Sequence, residues 1–306
     1  MPTALITGTS TGIGLETAIA FARKGYRVFA GLRSPAKASL LQKAIGEGLP
    51  IVMVQLDVDN DDSVDDAVSD VLAHAGAIDV LVNNAGIGKR GAIELLSIEA
   101  SKAMFETNYF GAIRMMRAVL PGMRARCSGA IVNVTSLCGR VSIPLHGHYT
   151  ASKYALEAAS EALAGEMRPF GVRVAIIEPG VILTPIFTKG ESVIDPSTPY
   201  LTAINRLSRF FGSQLVDPTM PAAVAGTIIE AVETDAPRLR YLVGEDARAL
   251  VAGRNEISDE TWIELNAEPD EERFVARALE VFGVDLYNPP SAFSRSRPKR
   301  TQASAG

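Results

Sequence analysis

The sequence predicts an α/β fold built on a doubly wound parallel sheet. Three observations carry this expectation. Short branched apolar runs recur from the N-terminus to about residue 243, helical stretches separate them, and the first run passes through a glycine-rich turn directly into the first helix. The strand runs are Ala4 to Ile6, Arg27 to Ala30, Ile51 to Leu56, Val80 to Val82, Ala130 to Val134, Arg173 to Ile177 and Arg240 to Val243. Most are continuously apolar, as strands covered by helices on both faces should be. Helices are expected at Gly14 to Lys24, Ser63 to His74, Ala103 to Val119, Tyr149 to Met167 and Ala222 to Val232.

Local chemistry sets the helix limits. Asp61, Asp62 and Ser63 offer N-cap oxygens before Val64, and Gly76 lies where a left-handed residue would end that helix. Pro121 is expected just after a helix ending near Leu120, and Pro169 and Gly171 after the Tyr149 helix. Residues 1–245 therefore read as one doubly wound unit, and residues 246–288 as a helical extension of the same domain. In the extension, Phe274, Ala278, Leu279 and Phe282 share a helical face, and Trp262 packs the add-on. Residues 289–306, basic through Arg295, Arg297, Lys299 and Arg300, read as a solvated, disordered tail.

Composition narrows the function. Of the 306 residues, 47% are hydrophobic and 21% charged, which provides for a packed core. Lys plus Arg total 30 against 35 for Asp plus Glu, so nucleic acid is not an expected partner. The two cysteines, Cys127 and Cys138, are too few for a disulfide framework or a Cys-rich zinc site, and no metal is expected. No run approaches the length of a membrane span and no signal segment is visible, so a soluble cytoplasmic protein is the expectation.

The chemistry-bearing residues follow the strand ends. The first turn carries Gly8, Ser10, Thr11, Gly12, Ile13 and Gly14, spaced GxxxGxG. Such a turn lets a pyrophosphate approach the backbone and lie at a helix N-terminus. No GK[ST] follows, which argues against a nucleoside-triphosphate loop. Past the second strand stands Arg33, with no acid nearby. A guanidinium there would hold a 2′-phosphate, so NADP(H) is expected in preference to NAD(H); an exposed loop arginine is the plainer alternative. Asp57 and Val58 end the third strand, where Asp57 can accept from an adenine amine or simply cap a turn. Asn84, Ala85 and Gly86 close the fourth. Asn108 followed by Gly111 is poor helix writing and signals a kink or a function. Ser136 follows the fifth strand, and Tyr149 and Lys153 stack at i, i+4, about 6 Å apart.

In this order, the Thr7-Gly8-x-x-x-Gly12-Ile13-Gly14 turn, Asn83-Asn84-Ala85-Gly86, Asn108, Ser136, Tyr149, Lys153 and Pro179-Gly180 resemble the short-chain dehydrogenase/reductase family over about residues 3 to 245. Within it the chain resembles the NADP-type hydroxysteroid and retinol dehydrogenase-like members. The resemblance implies a Rossmann-type domain and hydride transfer between NADP(H) and a lipophilic ketone or aldehyde and its alcohol. It makes Tyr149 the proton donor, Lys153 the group that with the oxidised nicotinamide acidifies the phenol and that holds the nicotinamide ribose, and Ser136 a hydrogen-bond partner of the substrate oxygen. Asn108 would hold a water linking Lys153 to solvent. Pro179, Gly180, Ile182 and Thr184 would line the nicotinamide. A homodimer or homotetramer formed through the long helices is also implied.

The pocket is expected from Leu137, Ile143, His146, Val181, Ile186 and Phe187, apolar enough for a small lipophilic substrate. The proline-rich stretch from residue 185 to about 221 reads as a lid. Two rivals stand beside the reductase: a catalytically silent NADP(H)-binding redox sensor, and a nucleotide-sugar epimerase, which the glycine spacing disfavours.

Overall fold

The computed structural model describes residues 1–185 and 197–288. Ile186, Phe187 and the basic tail lie outside the described residues. Seven strands, β1 (Thr3–Thr7), β2 (Arg27–Leu32), β3 (Ile51–Gln55), β4 (Val80–Asn83), β5 (Gly129–Val134), β6 (Val172–Pro179) and β7 (Arg240–Val243), form one parallel sheet among these residues. The order β3-β2-β1-β4-β5-β6-β7 places the reversal of winding between β1 and β4. All seven strands lie where the apolar runs predicted, within a few residues at the ends.

Alternation divides the strand residues between two helix layers. Ala4, Ile6, Val28, Val80 and Val82 pack with Leu15 and Phe21 of α1 (Gly12–Arg23), Leu41 of α2 (Ser39–Gly46) and Ile228 of α8 (Pro221–Glu233). Leu5, Phe29, Leu81 and Ile131 pack on the other face with Val68 of α3 (Asp61–Ala75), Met115 of α5 (Gly111–Ala125) and Leu156 of α6 (Gly147–Met167). Phe21 and Phe29 are fully buried on opposite faces. Each contributes about 1.5–3 kcal/mol relative to exposure.

The helix limits bring corrections. The cap of α3 is Asn60, whose Oδ1 accepts from the Ser63 amide at 2.7 Å; the Ser63 hydroxyl instead accepts from the Asp57 amide at 2.9 Å. Gly76 does end α3 in the left-handed region, at φ 76°. Pro121 lies inside α5, not after it. The single helix expected over Ala103 to Val119 is α4 (Ile98–Phe105), a π-turn over Glu106–Phe110 and α5. One residue too many for the α-helical ladder sits around Asn108.

The expected lid stretch contains a regular helix, α7 (Leu201–Gln214). With α9 (Glu245–Asn255), α10 (Asp259–Ala267) and α11 (Glu271–Phe282) it shares a third apolar cluster, where Phe210, Leu250, Phe274 and Phe282 meet Leu137, Cys138 and Val181. The extension thus joins the sheet unit at the carboxyl ends of β5 and β6. Trp262 stands edge-on to Phe282 inside it.

Candidate active site

Ligand crevices in open α/β sheets lie outside the carboxyl ends of the strands where the winding reverses. Here that point brings the turn after β1 against the segment after β4. Gly8 and Gly12 have φ of 71° and 60°. A Cβ on Gly8 would stand 2.8 Å from the Ala85 Cα, and one on Gly14 would overlap the Gly8 carbonyl and the Asn84 amide. The Thr7 hydroxyl accepts from the Asn84 and Ala85 amides at 3.0 and 2.9 Å, and Asn84 Nδ2 donates to the Thr7 and Gly8 carbonyls at 2.9 and 3.2 Å. The Asn84 side chain therefore ties the glycine turn to β4. Thr9 ties it to β2, donating from both Nα and Oγ1 to the Gly31 carbonyl. No side chain caps α1, so its first amides face the turn unsatisfied. A cradle of glycines before a bare helix N-terminus fits a pyrophosphate.

Around it, Ser10 is exposed and Thr11 and Ile13 are half-buried. Arg33 is exposed just past β2. Asp57 Oδ1 accepts from the Asp59 amide at 3.2 Å, the turn-capping alternative. Val58 is buried and packs where a Cβ on Gly111 would fall. Thr184 lies across the crevice, its Cγ2 3.1 Å from the position of a Gly12 Cβ.

The π-turn directs Asn108 inward. Its Oδ1 accepts from the Ile87 amide at 2.8 Å, and its Nδ2 donates to the Ile87 carbonyl and to Ser152 Oγ, each at 2.9 Å. Ser152 Oγ in turn donates to the Tyr149 carbonyl at 2.7 Å. The segment after β4 is thereby fixed to the first turns of α6. Both Nδ2 hydrogens of Asn108 are used, whereas Oδ1 accepts one bond and borders, with Lys153 Nζ, the space beside Gly86.

Ser136 Oγ accepts from the Cys138 amide at 3.1 Å, lies 3.5 Å from the Pro179 carbonyl, and is close enough to the Tyr149 phenol to favour its ionised form. Lys153 is buried, with Nζ donating to the Val134 carbonyl at 3.1 Å and lying 5.9 Å from the Tyr149 ring centre. A Cβ on Gly86 would stand 3.2 Å from Asn108 Oδ1 and in ordinary contact with Nζ at 3.5 Å, so Gly86 borders both groups. Burial pushes Lys153 down to about 8, against the opposing charge of Glu157. Burial pushes the Tyr149 phenol up, with only the Ser136 hydrogen bond pulling it down. In the protein alone the dry surroundings dominate.

Of the pocket residues, Leu137 and Val181 are buried and Ile143 and Tyr149 partly buried in the third apolar cluster. His146 is buried, its ring edge-on to Tyr149 at 6.2 Å. The residues after β6 are held from the extension. Asp246 Oδ2 accepts from the Val181 amide at 2.6 Å, and its carboxylate fills the space beside Gly180. Ile182 bridges to Thr219.

A second polar cluster lies one turn beyond Lys153. Glu157 accepts from Thr135 Oγ1 at 2.6 Å and pairs with Arg240 at 3.0 Å. Glu178, fully buried at the end of β6, meets Arg140 at 3.2 Å and Arg240 at 3.6 Å through Oε1, while Oε2 has no hydrogen-bond partner. Burial, then the Glu157 charge, pushes Glu178 up to about 7 against both arginines. Ser152, Asp246 and this cluster were not singled out in the sequence, nor was the bonding of Thr7 and Thr9 to β4 and β2; only contacts across the fold reveal them.

A doubly wound sheet with a glycine cradle at its switch point and Ser136, Tyr149 and Lys153 grouped beside it defines a dinucleotide-dependent oxidoreductase class. The model of the short chain dehydrogenase family matches residues 2–194. The chain belongs to that family, whose relatives make it an enzyme acting on CH–OH donors. It is 37% identical to retinol dehydrogenase 8 of Bos taurus over 269 residues, 82% of this chain and 84% of that one. The Homo sapiens protein of the same name is 43% identical over 187 residues, 60% of this chain and 59% of the other. Among solved structures, a short-chain dehydrogenase from Streptomyces avermitilis superposes with a TM-score of 0.76 at 35% identity, covering 90% of this chain and 97% of its own. An alcohol dehydrogenase from the archaeon Thermococcus sibiricus, complexed with 5-hydroxy-NADP, gives 0.67 at 27%, covering 79% and 96%. Among the described residues, no helix is long and apolar enough to cross a membrane.

Proposed function

We propose that the protein is an NADP(H)-dependent oxidoreductase that interconverts a lipophilic ketone or aldehyde and its alcohol. The observation that carries this reading is the grouping of Ser136 after β5 with Tyr149 and Lys153 in the first turns of α6, Lys153 Nζ buried 5.9 Å from the Tyr149 ring centre and the phenol ring packed on the apolar cluster of the extension. A bound nicotinamide would supply or accept the hydride. Gly8, Gly12, Gly14 and the α1 amides would hold its pyrophosphate, and Lys153 its ribose. Arg33, exposed just past β2 and within electrostatic reach of Asp59, would take the 2′-phosphate. The NADP-bound relative supports nicotinamide use.

In the reducing direction, negative charge develops on the carbonyl oxygen. Ser136 Oγ would donate a hydrogen bond there and Tyr149 Oη would transfer its proton. Burial keeps that phenol protonated at neutral pH, which suits a donor. Lys153, poised near 8, would return the proton to Tyr149, drawing on solvent through backbone opened by the π-turn at Asn108. Leu137, Ile143 and Val181 would exclude water from the reacting centre. Pairing of copies through the exposed sides of α5 and α6 belongs to the same proposal.

The test is consumption of NADPH against a panel of apolar ketones and aldehydes, read by loss of reduced-nicotinamide absorbance. Turnover supports the reading. Tight NADPH binding with no turnover of any carbonyl would favour the silent sensor.

A further inference from the structure

His146 is a polar residue in surroundings that do not call for one. It is 7% exposed, and among the described residues its buried Nδ1 has no hydrogen-bond partner. Its ring stands edge-on to Tyr149 at 6.2 Å and tilted on Phe211 at 5.7 Å, beside the apolar cluster of Leu137, Phe210 and Ile143. A buried nitrogen left unpaired costs about 1–3 kcal/mol, whereas a phenylalanine of similar size would fill the same space without that penalty. The cost disappears when a ligand supplies the partner.

We propose that His146 is a specificity-determining residue, and that the substrate carries a second uncharged hydrogen-bonding group, a hydroxyl or carbonyl, within a few bonds of the carbon that reacts at Tyr149. The inference rests on the reductase reading above. The distance between the two rings places the second group near the reacting centre, not at the far end of an apolar tail. Electrostatics set its charge. Burial and the nearby Arg90 push His146 down to about 4, against the Pro144 carbonyl, so the ring is neutral and offers a hydrogen bond but no charge. Arg90 stacks on the same Phe211 at 5.0 Å and would repel an ammonium group at that position.

The test compares two apolar ketones of equal chain length, one bearing a hydroxyl β to the carbonyl, in the wild type, His146→Phe and His146→Asn. The wild type should favour the hydroxyketone in kcat/KM by about tenfold. His146→Phe should lose that preference, and His146→Asn, which keeps a donor and an acceptor, should retain part of it. Melting temperature and NADPH affinity report that the variants are folded. A wild type indifferent to the hydroxyl, or a preference undiminished in His146→Phe, overturns the assignment while leaving the reductase reading in place. A wild type that reduces neither ketone overturns both.

Discussion

Replacing Glu178 by glutamine probes the polar cluster behind Lys153. The carboxyl is fully buried, pairs with Arg140, shares Arg240 with Glu157, and among the described residues leaves Oε2 unpartnered. Its folded-state value, about 7, lies above the ordinary 4.5. The sign follows from linkage. The native state holds a proton that the unfolded state releases, so stability is fullest below the ordinary glutamate value and falls as pH rises through 7. The displacement corresponds to at most about 3 kcal/mol between pH 4.5 and 8, at about 1.4 kcal/mol per pH unit. For a chain of this size that is roughly 2–4 °C per kcal/mol, hence a loss of up to about 10 °C. Glutamine cannot ionise, and its amide offers a donor where Oε2 had none. Glu178→Gln should therefore flatten melting temperature against pH over this range, measured by differential scanning calorimetry on both proteins in the same buffers. An unchanged slope in the variant would show that the proton resides elsewhere, and the argument would fail.

Three further outcomes are expected. Tyr149→Phe should lower turnover by about 10²–10⁴-fold while NADPH still binds, checked by steady-state kinetics beside fluorescence titration of the cofactor. Arg33→Ala should weaken NADPH by about tenfold or more and leave NADH nearly unaffected; equal losses would remove Arg33 from phosphate recognition. Asp246→Ala leaves the Val181 amide buried without its acceptor, so stability should fall by about 1–3 kcal/mol in urea unfolding and KM for the cofactor should rise.

What the sequence disclosed and what it hid divide by range. Each strand is a contiguous apolar run between turn residues, and Gly8, Gly12 and Gly14 signal a backbone requirement at their own positions. These features are local and were readable. The short α2 buries only Leu41 and Ala44 and carries too little periodicity to stand out. The amphipathic α7 was masked by prolines on either side of it, which suggested an irregular lid. Pro121 fell within α5 because tertiary burial of Met115, Val119 and Met123 carries the helix past it. The grouping of Ser136, Tyr149 and Lys153 was expected from their order along the chain. Spacing says nothing of how dry the surroundings of the phenol are, and burial pushes it up in the protein alone. Asp246 hydrogen-bonds an amide 65 residues away in sequence, and nothing in its neighbours announces this.

That carboxylate also bears on how such enzymes can be recombined. Because the backbone beside Gly180 is held by a side chain from beyond the last strand, the ending of this protein is not an interchangeable cassette. A chimera that exchanged everything after Val243 for a relative's ending would need an acid at the corresponding place, or the nucleotide-binding half would lose the brace that shapes its own rim.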